Sequence, residues 1–272
     1  MLKKLALFII VFTVSLNATS FNQRVINIIG ADEFTKNKSL IDYIFTNKSI
    51  YYRNGNFNYV SVMQKLKDNG LLKVYLNSPK DISITFITTD SPIKSIKIIS
   101  DSLKRLGYYY YFTKNLTYTK DQSMLWSINL KTEAAIDPLM LSKELSKNNC
   151  RFLDIKKEGD TIWEYKIDTS GAALEKATKL ILGEKIDFKK PLKPYFITFD
   201  EGKTLYVTSK NNNKWFPNIV FYDKKLNILN IVRRDYRTSS YRVNIPKNTE
   251  YIKIDDIYTL ENIKRGLSVM IK

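Results

Sequence analysis

The chain has 272 residues, 44 basic and 27 acidic side chains, a net charge of +17, nine glycines, one cysteine and no histidine. Without histidine there is no Ser-His-Asp or Cys-His catalysis, no histidine zinc ligand and no histidine general base. The glycines lie too far apart to build a phosphate-cradling loop, and a single cysteine excludes an internal disulfide.

The chain opens MLKKLALFIIVFTVSLNATSF. Lys3 and Lys4 precede an apolar run from Leu5 to Val14, and the small residues Ala18, Thr19 and Ser20 follow. That layout predicts a secretory signal peptide over residues 1–20, cleaved near Ala18 or Ser20, and a periplasmic mature chain. The run is about half of the roughly 20 apolar residues that a membrane span needs, and no later stretch reaches that length. No cysteine lies near the cleavage site to carry a lipid. Cys150, in CRFLDI, reads as a buried strand position.

Residues 21–47 carry NQRVINIIG and SLIDYIF, which read as two short amphipathic helices that pack on or cap the module C-terminal to them. A repeat with an offset of 79 then becomes visible. MQKLKDNGLLKVYLNSPKDISITFIT (63–88) aligns with SKELSKNNCRFLDIKKEGDTIWEYKI (142–167). Leu66 meets Leu145, Asn69 meets Asn148, Val74 meets Leu153 and Phe86 meets Tyr165. Each copy has an amphipathic segment, an apolar strand, a turn and an alternating strand. The first copy continues into a helix over 91–106, with Ser91 as N-cap, Pro92 at the first helical position and Gly107 as the stop. Its counterpart is SGAALEKATKLILGE (170–184), with Leu174, Ala177 and Ile181 at helical spacing. Strands near 49–52 and 123–132 precede the first helix of each copy.

The expected fold class is therefore α+β: tandem ferredoxin-like βαββαβ plaits over 48–120 and 121–190, followed by a β-sandwich. The last strand of the first plait falls on the tyrosine run after Gly107. Alternation places Tyr108, Tyr110 and Phe112 on the helix-covered side and Tyr109 and Tyr111 on the uncovered side. Tyr109, Tyr111 and Tyr118 are candidates for a contact surface, met by the second plait, a partner protein or a glycan. Trp163 is a further candidate in the second copy.

WSINL, CRFLDI and WEYKID, with the helices between and after them (123–184), resemble sporulation-related repeat (SPOR) domains. The resemblance implies a βαββαβ module that binds glycan strands of peptidoglycan in the periplasm. Lys131-Thr132 and Asp168-Thr169 stand where that family has glycine.

Pro191 and Pro194 bracket a linker, after which the helical period vanishes. Short alternating strands at roughly ten-residue spacing predict an antiparallel β-sandwich over 191–272. The stretch 195–229 resembles the β-domain of the maltose-operon periplasmic protein family, through Ser209, Phe216, Pro217, Val220 and Asp223. That likeness implies an exported accessory protein. Trp215 and Phe216 in NNNKWFP are candidates for stacking on a sugar, or cap the end of the sandwich. Arg233, Arg234, Arg237 and Arg242 form a basic hairpin tip or a dock for acidic partners.

Asp32-Glu33, Asp200-Glu201 and Asp255-Asp256 are adjacent carboxylates; neighbours on a strand point to opposite faces and rarely share a site, so no catalytic pair is expected from them. Basic charge is spread, with 15 basic and 8 acidic side chains in 191–272. The reading is a non-catalytic exported binding or scaffold protein of a bacterial envelope, with no cofactor, no metal and no nucleic-acid partner. Its partners would be envelope proteins, in an assembly such as a secretion system or flagellar motor. The alternative is a peptidoglycan- or carbohydrate-binding periplasmic protein.

Overall fold

The computed structural model describes residues 20–119 and 123–272. The expected leader, apart from Ser20, lies outside the described residues. Ser20 caps the first helix, α1 (Phe21–Ile29), its Oγ accepting from the Gln23 N–H at 3.2 Å. Phe21, Val25, Ile28 and Ile29 bury one stripe of α1. Two shorter helices follow, α2 (Ala31–Lys36) and α3 (Lys38–Ile44).

The expected strand near 49–52 is instead a 3₁₀ turn, Lys48–Tyr51, leading into a two-residue ribbon, β1 (Tyr52–Arg53) with β2 (Asn56–Phe57). Then come α4 (Tyr59–Asp68), β3 (Tyr75–Thr88), α5 (Pro92–Arg105), β4 (Phe112–Tyr118), β5 (Met124–Ala134), α6 (Pro138–Ser146), β6 (Arg151–Glu158) and β7 (Ile162–Asp168). The fold is mixed α and β, as composition and periodicity implied.

The repeat sits at the centre of this fold. β3 and β7 pair in parallel, and Ser83 faces Ile162, Phe86 faces Tyr165 and Thr88 faces Ile167. Every partner is 79 positions away, so the two copies lie side by side in register. The symmetry continues beyond the strands. The Lys143 ammonium donates to Gln64 Oε1 at 3.4 Å, joining α6 to α4. The Thr169 N–H donates to Thr89 Oγ1 at 3.0 Å, and the Thr169 hydroxyl to the Asp90 carbonyl at 2.8 Å.

Two separate plaits do not form. One five-stranded sheet, ordered β4-β5-β3-β7-β6, takes strands from both copies and runs through the boundary expected at 120/121. The first copy alone cannot close a sheet, because its strands β3 and β4 are separated by β5 of the second. The second copy turns through Gly159 (φ +58°) into the β6–β7 hairpin. Lys80 occupies the matching place in the first copy, and the chain runs on as one strand with an irregularity between Tyr75 and Lys80. Ile84, Phe86, Trp126, Trp163 and Tyr165 are buried on one face of the sheet, in a core shared with α4, α5 and α6. Its other face is half-exposed, with Thr85 and Ser127 hydrogen bonded across β3 and β5 at 2.9 Å.

Three further expectations need correction. Ser91 has a left-handed backbone (φ +51°) and makes no side-chain cap to α5. Residues 108–111 are not strand: after Gly107 (φ +92°) the Tyr108 N–H returns to the Leu103 carbonyl at 2.9 Å, and β4 starts only at Phe112. Tyr108 and Tyr111, three positions apart, both pack on the core, so Tyr111 lies on the covered side. Third, the helix expected over 170–184, also implied by the sporulation-repeat resemblance, is absent. Turns lead there to β8 (Thr178–Leu180).

β8 starts the C-terminal module earlier than the expected boundary at 191. It is followed by β9 (Lys185–Asp187), β10 (Tyr195–Phe199), β11 (Thr204–Ser209), β12 (Pro217–Tyr222), β13 (Ile228–Arg233), β14 (Ser240–Asn244), β15 (Tyr251–Asp256) and β16 (Leu267–Ile271). They form two sheets, β13-β12-β15-β10-β8 and β14-β11-β16-β9, whose pairs are antiparallel except for β8 with β10. Both sheets feed one core that includes Leu180, Ile197, Val207, Trp215, Phe221 and Val269. Gly266 (φ +88°) is required by close approach, since a Cβ there would stand 1.8 Å from the Phe188 carbonyl oxygen. Among the described residues no helix is long and apolar enough to cross a membrane.

Candidate functional site

The two edges of the five-stranded sheet are finished differently. A bare edge strand offers a row of unpaired N–H and C=O groups, and proteins normally cover it. The β6 edge is partly covered by α1. The Arg24 guanidinium of α1 and the Tyr59 hydroxyl both donate to the Leu153 carbonyl, at 3.4 and 3.1 Å. The same hydroxyl lies 3.0 Å from Asp154 Oδ1, and burial together with Asp154 pushes the Tyr59 phenol well above its ordinary value. These bonds satisfy the Leu153 carbonyl, near the middle of β6, while Arg151, Lys156 and Glu158 of the same strand stay exposed.

Among the described residues the β4 edge has no such cover. Every residue from Phe112 to Tyr118 is exposed. β4 is held on its inner side by β5, where the Trp126 indole N–H donates to Thr113 Oγ1 at 3.1 Å. Just before β4 the chain exposes Tyr109 by 65 % and Tyr110 by 91 %, and Phe112 is 81 % exposed. Tyr118 is exposed at the far end of the strand. The result is an aromatic apron beside an open strand edge. Tyr111 anchors it from below, its ring edge-on to Trp126 with centroids 5.8 Å apart and its hydroxyl donating to Ser100 Oγ of α5 at 3.2 Å.

The other sequence candidates scatter. Trp163 is buried and stacks on Tyr165, centroids 6.0 Å apart, with the Lys157 ammonium 5.5 Å from its ring centroid. Trp215 is fully buried and its N–H donates to the Asp255 carbonyl at 2.9 Å. Neither ring can present a face to a ligand. Phe216 is half-buried, edge-on to Tyr258, and its N–H donates to Asp256 Oδ2 at 2.7 Å.

The four arginines are individually occupied. Arg233 donates to Asn218 Oδ1 at 3.2 Å and Arg237 to the Asn213 carbonyl at 2.9 Å. Arg234 donates to the Tyr241 hydroxyl at 3.1 Å, and Arg242 lies over the Tyr206 ring at 5.4 Å. Of the sequence candidates, Tyr109 and Tyr111 lie at the start of the β4 edge and Tyr118 at its far end. Tyr110 and Phe112 belong with them but were assigned to the covered side by a strand alternation that starts only after Tyr111.

Among the described residues no group of three or more histidine, cysteine or acidic side chains could hold a metal ion. Cys150 is buried, and burial pushes its thiol up to about 12, with the nearby Lys94 ammonium pulling the other way. The thiol is therefore protonated at neutral pH and is no nucleophile. No protein-family model, curated protein or solved structure matches this chain.

Proposed function

We propose that the chain is a non-catalytic, exported binding or scaffold protein of a bacterial envelope, and that it holds a partner protein by strand addition at β4. The observation that supports this reading is the contrast between a β6 edge partly covered by α1 and a β4 edge left without such cover among the described residues and flanked by exposed aromatics. Main-chain pairing would supply affinity; Leu116 and Tyr118 share one face of β4, and Phe112 lies on the other across the irregularity between Thr113 and Asn115, so the two sets would contact side chains on the two faces of the added strand. The basic balance, +17 for the whole chain and +15 once Lys3 and Lys4 of the leader are removed, favours an acidic partner and speeds its encounter. Export rests on the leader-like N-terminus. What supports the sandwich reading of the C-terminal module is that both its sheets contribute to one core. A glycan-binding reading has less support, because Trp163 and Trp215 are buried.

The test places a photo-crosslinking residue at Asn115 and, as a control, at Lys156 on β6. In envelope extracts, Asn115 should capture one discrete protein that Lys156 does not. Phe112→Lys with Tyr118→Lys should abolish capture without lowering thermal stability, because both side chains are exposed. Equal capture from both positions, or capture that survives the double substitution, refutes the edge as the docking site. Mass spectrometry of the secreted form should find an N-terminus at Thr19 or Phe21; a full-length chain refutes export.

A further inference from the structure

Between α5 and the C-terminal module lies a cleft of about 300 Å³. Five cationic side chains line it: Lys97, Arg105, Lys176, Lys193 and Lys253. Three of them are already paired. Lys97 meets Asp101 at 3.1 Å, Arg105 meets Glu144 at 2.5 Å and Lys253 meets Asp255 at 3.2 Å. Among the described residues Lys176 and Lys193 have no carboxylate partner. The cleft therefore carries an excess of two positive charges that the protein does not neutralise.

These ammoniums feel one another. Partial burial, then Lys176, and then Lys97 and Arg105 together hold the Lys193 ammonium below its ordinary value, against the pull of Asp101. Like charges held together in a cleft are costly unless an anion joins them. The same cavity is lined by Asn148, which is only 6 % exposed and whose Nδ2 donor has no partner. A buried amide N–H without an acceptor costs about 1–3 kcal/mol, so it calls for an explanation. The rest of the wall is apolar: Leu174, Ala177, Pro194 and the ring of Phe196, which stacks on Tyr222 and has Lys97 5.5 Å from its centroid.

We infer that this cleft is a binding site for a small organic phosphate, whose dianionic group takes Lys176 and Lys193 and whose flat apolar body lies on Phe196. Two free ammoniums match the double charge of a phosphate monoester, and a single carboxylate would leave one unpaired. The cavity is at the lower limit of a small-molecule pocket, which suits a one-ring ligand. The site is separate from the β4 edge and does not depend on its role.

Phenyl phosphate is the probe, with inorganic phosphate and phenol as its two halves, in calorimetry and thermal-shift titrations of the full mature chain. Phenyl phosphate should bind more tightly than inorganic phosphate, and phenol should not bind. Lys193→Gln and Lys176→Gln should each weaken phenyl phosphate about tenfold, the worth of one charge-assisted hydrogen bond. Lys179→Gln, outside the cleft, should leave affinity unchanged. Phe196→Leu should bring phenyl phosphate and inorganic phosphate closer together in affinity. Vesicles of phosphatidic acid identify the source: sedimentation that requires Lys176 and Lys193 assigns the phosphate to a lipid headgroup, and binding of the free compound alone assigns it to a soluble ligand. No binding of phenyl phosphate, or binding indifferent to both lysine substitutions, overturns the proposal.

Discussion

The first copy of the repeat ends in a fourteen-residue helix, α5; the second, at the same offset, ends in a three-residue strand, β8, that belongs to another sheet. Both stretches have apolar residues at helical spacing. Asn148 accounts for part of the difference. Its carbonyl accepts from the Ala173 N–H at 3.0 Å and its Oδ1 from the Glu175 N–H at 3.1 Å, which holds 173–175 out of a helix. The side chain of the equivalent Asn69 bonds back to the Lys65 carbonyl within its own helix end.

Parallel pairing of β8 with β10 accounts for the rest, since it puts Leu180 in the C-terminal core at 2 % exposure and leaves Ile181 57 % exposed. A second helix would also have found nothing to cover. Phe86, Trp163 and Tyr165 are already fully buried. Helix propensity is worth a few tenths of a kcal/mol per residue, and burying one leucine side chain is worth about 1.5–3 kcal/mol, so packing wins. The second copy thus became the link between the two cores, and the phosphate cleft lies at that link.

The largest effects should come from the pairing of the copies. Phe86→Ala and Trp163→Ala should each cost about 3–5 kcal/mol in chemical denaturation. Both should lower the same single transition, because β3 and β7 are neighbours in one sheet. Two independent plaits would show two transitions, each sensitive to one substitution.

The ends of the copies give a finer discrimination. Leu180→Ala should cost about 2–5 kcal/mol, and Ile181→Ala should stay within about 0.5 kcal/mol. A helix presenting Leu174, Ala177 and Ile181 to the core would reverse that order.

The smallest effect separates Leu71 from Cys150, which are equivalent and both buried. Leu71 cannot titrate. Cys150 has its folded pKa raised by burial to about 12, above its unfolded value. The folded state then holds a proton that the unfolded state has lost, so stability falls as pH rises from about 9 toward 12. Tyr195, also pushed up to about 12 by burial, adds to the fall above pH 10. Denaturation at pH 7 and at about pH 10 should show a loss on the order of 1 kcal/mol that shrinks in Cys150→Ala. An identical loss in Cys150→Ala would mean that the thiol does not contribute.

The amino-acid sequence by itself determined the local elements and their kinship. Asp137 caps α6, its Oδ1 accepting from the Leu139 N–H at 2.9 Å, and Pro138 occupies the first turn, both signals carried by adjacent residues. Gly107 stops α5, and alternation in β3 and β7 makes the offset of 79 visible, because these signals act within a few residues. The aromatic run was legible as a surface, but its parity was not, because a turn of three-residue spacing precedes the strand.

Only the tertiary structure decided which strands are neighbours. Pairing joins residues far apart in sequence, and many pairings satisfy the same pattern of alternation. Which edge stays open, which tryptophans are swallowed, and which lysines between positions 97 and 253 meet in one cleft all depend on that choice. They became readable once β3 had taken β7 beside it.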